Sequence, residues 1–186
     1  RDQANLMLAI VDGKITPISK NSSFEEGKGN LSADWSYWVK PDEATKKVVG
    51  RMLRSTDRAH DGQRSLLCDS MYRGGPVHTI SPLPPGKYCA FAWVYVDMPE
   101  GVENKGTCEL AVTPRAANGQ NLPGLSTKIT PSAGKWTLIV AGGKIEKEIN
   151  GKEVTHALMI PIVDGFRGGG KVYWDEAALY RVNERQ

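Results

Sequence analysis

Two acidic residues about 150 positions apart are the side chains in this sequence that most clearly suggest chemistry. Glu25 follows Phe24 near the start and Asp175 follows Trp174 near the end, each at the edge of a predicted strand. If the first and last strands lie side by side, the two carboxylates converge and offer the hard oxygen ligands that Ca²⁺ prefers. The alternative is a pair of solvated carboxylates at strand ends.

A long predicted strand, Tyr88 to Val96, carries a second group of candidate residues. Alternate side chains of a strand point to opposite faces, so this run separates by parity. One face is mostly small and aliphatic and suits the space between two sheets. The other face carries Phe91, Trp93 and Tyr95. These rings form either a platform for a ligand or a second small core that a loop or the N-terminal segment covers.

The common motifs of catalysis are absent, and a small lyase or hydrolase domain is the weaker alternative. The sequence contains no Gly-x-Ser-x-Gly, no P-loop and no His-Glu-x-x-His. Glu25 and Glu26 cannot flank one glycosidic bond, because adjacent strand residues point to opposite faces. No two histidines have the spacing of metal ligands. We therefore predict that the chain is not an enzyme.

The elements that position these residues are predicted to be strands. The chain has 20 glycines and 11 prolines in 186 residues, and short apolar runs alternate with turn-forming residues. We find no amphipathic helix of useful length and no internal repeat. This spacing is typical of a two-sheet β-sandwich, so the predicted fold class is all-β.

Charge and cysteine content exclude several classes of protein. The formal net charge is +3 and the basic residues are scattered, which argues against a nucleic-acid partner and does not indicate a polyanionic glycan. No apolar run is long enough to span a membrane as a helix. The cysteines lack metal-ligand spacing and sit in strand-like runs, so we expect buried free thiols at Cys68, Cys89 and Cys108.

Residues 1–20 differ from the rest of the chain. They contain a short apolar run, 5–11, followed by an Asp-Gly turn. We interpret them as a lead-in or interdomain segment, and residues 21–186 as one domain. Arg1 as the first residue suggests a fragment of a longer protein.

Three short segments together carry a resemblance to a known group of domains. They are residues 21–27, which contain Glu25, residues 61–66 and residues 172–179, which contain Asp175. Over roughly residues 20–182 the chain resembles the β-jelly-roll carbohydrate-binding modules of the family 4, 9, 16 and 22 kind. The resemblance implies a jelly-roll sandwich with a structural Ca²⁺ bound by Glu25, Asp175 and backbone carbonyls around Gln63.

The resemblance also implies where a glycan binds. The face with Phe91, Trp93 and Tyr95 corresponds to a concave outer surface, where rings stack on the apolar faces of sugars. Trp38 could flank the groove, although a core position is the better expectation, and Arg115 could hydrogen-bond a glycan. Two other aromatic residues are implied to be structural: Trp35 and Trp136.

The sequence therefore predicts a non-catalytic carbohydrate-binding module. The resemblance implies that it binds a polysaccharide or oligosaccharide and serves as an accessory domain of a larger polysaccharide-active enzyme, such as a glycoside hydrolase. That enzyme would be secreted or attached to the cell surface. The alternative from another class is a spacer or protein-interaction domain of the same fold without glycan affinity.

Overall fold

The computed structural model describes residues 15–182 of the chain. Within this range the chain forms fourteen strands and no helix, and so no helix that could cross a membrane. In chain order the strands are β1 (Gly27–Lys28), β2 (Leu31–Ser32), β3 (Ser36–Val39), β4 (Arg51–Ser55), β5 (Ser65–Asp69), β6 (Arg73–Ile80), β7 (Gly86–Asp97), β8 (Thr107–Arg115), β9 (Leu125–Ile129), β10 (Trp136–Ile145), β11 (Glu148–Ile149), β12 (Lys152–Glu153), β13 (His156–Asp164) and β14 (Lys171–Val182).

Two five-stranded antiparallel sheets make up most of the domain. The first sheet has the strand order β10-β7-β14-β5-β4, and the second has the order β3-β6-β13-β8-β9. Two short hairpins, β1-β2 and β11-β12, lie outside these sheets. The predicted all-β, two-sheet sandwich of the jelly-roll type is confirmed.

The core lies between the two sheets and follows from the parity of the strands. The inward face of β7, at alternate positions from Tyr88 to Val96, is buried as predicted. It belongs to one apolar cluster with Leu110 and Met159 of the second sheet and with Trp174 of β14. Alanines at two of the β7 positions leave room for these larger side chains, which is how two inner faces interdigitate.

The three cysteines are buried and free, as predicted. Burial raises the pKa of all three thiols, and the pKa of Cys89 reaches about 11. Because the thiolate is the reactive form, these cysteines behave as small apolar residues at neutral pH.

Residues 15–22 are hydrogen-bonded to the last strand, which brings the two ends of the domain together. Ile18 N–H donates to the carbonyl of Leu179 (2.8 Å), and the Ser19 hydroxyl accepts from the Leu179 N–H (2.9 Å). Further along, Ala177 N–H donates to the carbonyl of Ser22. The predicted boundary at residue 20 stays a prediction, and the apolar run 5–11 lies outside the described residues.

β14 contains a β-bulge at the point where its neighbour on one side changes from β5 to the N-terminal segment. The pairing of β14 with β7 shifts between Asp175 and Ala178, and Glu176 inside the bulge has a positive φ of 48°. β5 pairs with β14 only from Lys171 to Trp174, so the N-terminal segment contacts the part of β14 that β5 leaves free. Asp175 therefore lies where the strand changes neighbours.

Two tryptophans that were expected to be structural differ in position. Trp35 is buried in the main core beside Phe24, with ring centroids 5.0 Å apart, as predicted. Trp136 is only half-buried, and the core position predicted for it is wrong. It pairs with Tyr95 on the outer side of the first sheet, because Ile139 and Ala141 take the inward positions of β10.

Candidate functional site

Asp175 is completely buried and accepts three backbone hydrogen bonds. Its Oδ2 accepts from the N–H groups of His60 (2.7 Å) and Asp61 (3.1 Å), and its Oδ1 accepts from the N–H of Glu176 (2.7 Å). Burial raises the pKa of this carboxyl group to about 6, and the backbone hydrogen bonds act in the opposite direction.

Glu25 contacts the same loop a few residues further on. Its Oε1 accepts from the N–H groups of Gln63 (2.7 Å) and Arg64 (2.8 Å). Gly62 has a φ of +68°, which favours glycine, and a Cβ there would lie 2.4 Å from this oxygen, so a larger residue would displace the Glu25 carboxylate. The loop 56–64, between β4 and β5, thus receives both carboxylates, and the predicted convergence of Glu25 and Asp175 takes the form of a shared loop.

The two carboxylates face backbone N–H groups of this loop. Among residues 15–182 no group of three or more His, Cys, Asp and Glu side chains could hold a metal ion. The Gln63 N–H faces Glu25, where the resemblance implied a backbone carbonyl facing an ion. Backbone N–H groups donate to Oε1 of Glu25 and to both carboxylate oxygens of Asp175. Calcium binding stays a prediction that rests on the resemblance.

The same loop also covers Trp93 on the outer face of the first sheet. The His60 ring stacks on the Trp93 ring, with centroids 4.0 Å apart and planes inclined by 15°. The edge of Trp136 meets His60 at 5.3 Å, and the His60 ring is paired with the carboxylate of Glu176. One face of the Trp93 ring is therefore occupied by a side chain of the protein itself.

Tyr95 is covered in a similar way. The Arg58 guanidinium lies 3.9 Å from the centroid of the Tyr95 ring and 5.8 Å from that of Tyr173. This distance is typical of a cation–π contact. Trp93 and Tyr95 both remain half-buried, so part of each ring reaches the surface. We call the group formed by Arg58, His60, Trp93, Tyr95 and Trp136 the covered patch.

Phe91 belongs to a second small core. It is 7% exposed and packs edge-to-face against Tyr180 at 5.8 Å, in a cluster with Cys89 and Ala178. Ile15 of the N-terminal segment packs on this cluster. The sequence left open the alternative that the N-terminal segment covers the aromatic face. For Phe91, this is the arrangement that the structure has.

Trp38 is exposed, and the core position expected for it is wrong. Its neighbours Tyr37 and Val39 pack against the main core, so Trp38 points to the outer side of the second sheet. It is 37% exposed, which makes it the most open aromatic ring in the described part of the chain. Its partner across the ladder is Gly75, which has no side chain to cover it.

The outer face of the second sheet combines an apolar floor with polar pairs. Arg73 is ion-paired with Asp164, and Glu109 lies 3.5 Å from Lys128. Arg115 is at the far end of this face. The floor consists of aliphatic side chains whose parity points them outward: Val77, Ala111, Leu158, Ile160 and Ile162. We call this surface, with Trp38 at its edge, the Trp38 face.

A groove of about 720 Å³ adjoins this face at Ser36, where β3 begins and β6 continues to Ile80 without it. Ser36, Val77 and Thr79 of the outer side line it, together with Lys20 and Arg181. This volume lies within the range of small-molecule sites in proteins.

The predicted ligand-binding residues therefore fall on two different surfaces. Phe91, Trp93 and Tyr95 lie on the outer side of the first sheet, whereas Trp38 and Arg115 lie on the outer side of the second. The contributions of Arg58 and His60 to the covered patch were not predicted from the sequence. No local pattern could have revealed them, because the loop reaches its partners on β7 only through the tertiary fold.

Comparison with known proteins identifies the fold but not a family. No protein-family profile and no curated protein matches the chain. A family 61 carbohydrate-binding module in complex with β-1,4-galactotriose matches with a TM-score of 0.57 and 18% identity over 90% of this chain and 99% of that one. Carbohydrate-binding modules of families 16 and 22 also match, so the resemblance to such modules is confirmed at the level of the fold.

Enzymes share the fold as well. The enzymatically active domain of tailspike protein 4 from bacteriophage CBA120 matches with a TM-score of 0.63 and 12% identity. The match covers 89% of this chain but only 21% of the tailspike. An apo-form cyclase from Fischerella sp. matches with a TM-score of 0.61 and 11% identity over 92% of this chain and 97% of the cyclase. At these identities the likeness shows the fold alone.

Proposed function

We propose that this chain is a carbohydrate-binding domain and that the glycan binds on the Trp38 face. The observation that carries the proposal is the exposed ring of Trp38 on the outer side of a sheet. An exposed aromatic ring beside polar groups suits a ligand with both apolar faces and hydroxyl groups.

The composition of the face matches the chemistry of a sugar chain. The aliphatic floor and the Trp38 ring offer apolar area to the C–H faces of sugars. Ion-paired side chains such as Arg73 with Asp164 supply fixed donors and acceptors for hydroxyl groups. Five strands at about 4.8 Å spacing make the face roughly 19 Å wide, enough for an oligosaccharide to lie across it.

We further propose that the domain binds without catalysing a reaction. Asp164 and Glu109, two carboxylates of the Trp38 face, are each matched with a basic side chain. A glycosidase needs two carboxyl groups that act on one bond from opposite sides, whereas these two lie on the same face of one sheet and are each ion-paired. The parent chain would supply catalysis from another domain and act outside the cell or at its surface.

The covered patch is the alternative site. Trp93 and Tyr95 are partly exposed and stand beside Arg58 and His60, which are also capable of bonding hydroxyl groups. A sugar could stack on either ring only if the loop 56–64 moved away from it. The Trp38 ring needs no such rearrangement, and we therefore favour the Trp38 face.

The test is a glycan array probed with the purified domain. The array should include β-1,4-galactan and xylan, because neighbours of the same fold include a module in complex with β-1,4-galactotriose and a xylan-binding domain. We expect at least one glycan to bind. A domain that is folded by circular dichroism but binds nothing on the array would favour the spacer or protein-interaction alternative.

A further inference from the structure

A buried arginine without an anionic partner marks a second candidate site. Arg54 lies on β4, an edge strand, with only 8% of its surface exposed. Its Nη1 is 3.4 Å from the carbonyl oxygen of Glu25, and its Nε is buried without a hydrogen-bond partner. Within residues 15–182 it takes part in no ion pair.

This burial is energetically unfavourable unless an anion compensates it. A guanidinium stays charged at any physiological pH, so Arg54 cannot relieve the cost by losing a proton. Burying an unpaired charge is expensive, and one long contact to a carbonyl oxygen compensates little of it.

A shallow groove of about 380 Å³ lies at the edge formed by β4 and the start of the loop 56–64. Arg54 and Arg64 both line it, and Arg64 makes no ion pair in the described part of the chain. Asn30 and Thr56, whose side chains carry hydrogen-bond donors, also line the groove. Asp57 is the acidic residue of the lining, so the two arginines leave the groove with a net positive charge.

We propose that this groove binds the carboxylate or sulfate ester of an acidic sugar between Arg54 and Arg64. Guanidinium groups match such planar or tetrahedral oxyanions with paired hydrogen bonds. The proposal rests on the proposed function in that the anion is carried by a glycan, and it makes that glycan an acidic one.

The groove and the Trp38 face lie at the same edge of the sandwich. The Asn30 carbonyl accepts hydrogen bonds from both the Tyr37 hydroxyl and the Arg54 backbone N–H, each at 2.9 Å. Tyr37 directly precedes Trp38 on β3. Because Tyr37 lies on the inner side of the sheet and Trp38 on the outer side, a glycan at Trp38 must pass around this edge to place a charged substituent at the arginines.

The test uses small anions, so that it does not depend on knowing the glycan. The ¹⁵N-labelled domain is titrated with sodium glucuronate, with sodium sulfate and with uncharged methyl glucoside, and backbone amide shifts are followed by NMR. We expect shifts at Asn30, Arg54 and Arg64 with one or both anions and none with the glucoside. The anion that binds more tightly identifies the substituent as a carboxylate or a sulfate.

Two variants and a matched control test the assignment. Arg64→Ala should weaken anion binding on the order of tenfold or more, because hydrogen bonds to charged groups are strong. Arg51→Ala removes the same charge from the same region, but Arg51 pairs with Asp69 on the outer side of β4, so anion binding should be unchanged. Arg54→Met should abolish binding and raise the melting temperature in the absence of anion.

The proposal is overturned if neither anion shifts these amides, if Arg64→Ala and Arg51→Ala weaken binding equally, or if Arg54→Met melts below the wild type. Its failure is distinguishable from that of the proposed function. Anion binding at the arginines with no glycan bound on any array would contradict the proposed function and the acidic sugar, but not the anion site itself. Binding of a neutral glycan without any response to anions would contradict only the anion site.

Discussion

At the scale of single residues, the carboxyl group of Asp175 couples folding to pH. Its pKa is about 6 in the folded domain, mainly because of burial, and 3.8 is the ordinary value for aspartate. Between about pH 3.8 and pH 6, the carboxyl group is therefore protonated in the folded domain and ionised in the unfolded chain, so folding takes up a proton. The stability that the group contributes is fully present below about pH 3.8 and is lost as the pH rises through about 6.

We predict a pH-dependent difference between the wild type and Asp175→Asn, which cannot titrate. From pH 4 to pH 7 the free energy of unfolding of the wild type should fall by up to about 3 kcal/mol relative to the variant, since each pKa unit is worth about 1.4 kcal/mol. Urea unfolding at several pH values measures this difference. Parallel pH profiles, with a carboxyl ¹³C shift of Asp175 that titrates near pH 4, would contradict the assignment.

At the scale of elements, the loop 56–64 holds the ends of the domain through its backbone N–H groups. Glu25 accepts two of these hydrogen bonds, and Glu26 beside it is exposed. We predict that Glu25→Ala lowers the free energy of unfolding by about 1–3 kcal/mol in the presence of EDTA, because two N–H groups lose their acceptor. Glu26→Ala, which removes the same charge, should have little effect.

The same measurement decides the role of calcium. A loss in Glu25→Ala that is present in EDTA shows that the loop itself uses the carboxylate. A loss that appears only after calcium is added, with a wild-type melting temperature that rises with calcium, would show that the ion holds the ends together.

Gly62 provides a second test of this loop. Gly62 and Gly134 both have positive φ, +68° and +83°, but a Cβ at Gly134 meets nothing within 4 Å. Gly134→Ala should therefore cost only the strain of a left-handed alanine, about 1–2 kcal/mol. Gly62→Ala should cost clearly more in thermal or urea unfolding, because its Cβ would displace Glu25. Equal costs would show that the contact with Glu25 adds nothing to stability.

At the scale of the whole molecule, local patterns were enough to predict the sandwich and its core. The alternation along β7 separates its two faces, and the apolar runs around the cysteines mark strands, because burial imposes a period of two on a strand. The ends of the domain meet through backbone hydrogen bonds between residues 18–22 and β14, and Glu25 and Asp175 both accept hydrogen bonds from the loop 56–64.

Which outer surface is open could not be predicted from those patterns. Phe91, Trp93 and Tyr95 share a face by parity, but Ile15 and the loop residues Arg58 and His60 cover parts of that face. Their contacts join distant parts of the chain and leave no local pattern. Trp38 lies on an edge strand whose order in the sheet is likewise a tertiary property, so the expectation of a core position was wrong.

The most direct test of the glycan site is isothermal titration calorimetry of two tryptophan variants with the best-binding oligosaccharide from the array. Trp38→Ala should weaken affinity by about 1–3 kcal/mol, roughly 5- to 150-fold, while its melting temperature stays close to that of the wild type, because the ring is exposed. Trp93→Ala should bind with unchanged affinity, since His60 occupies a face of that ring. Unchanged binding by Trp38→Ala together with lost binding by a folded Trp93→Ala would contradict the account and place the site at the covered patch.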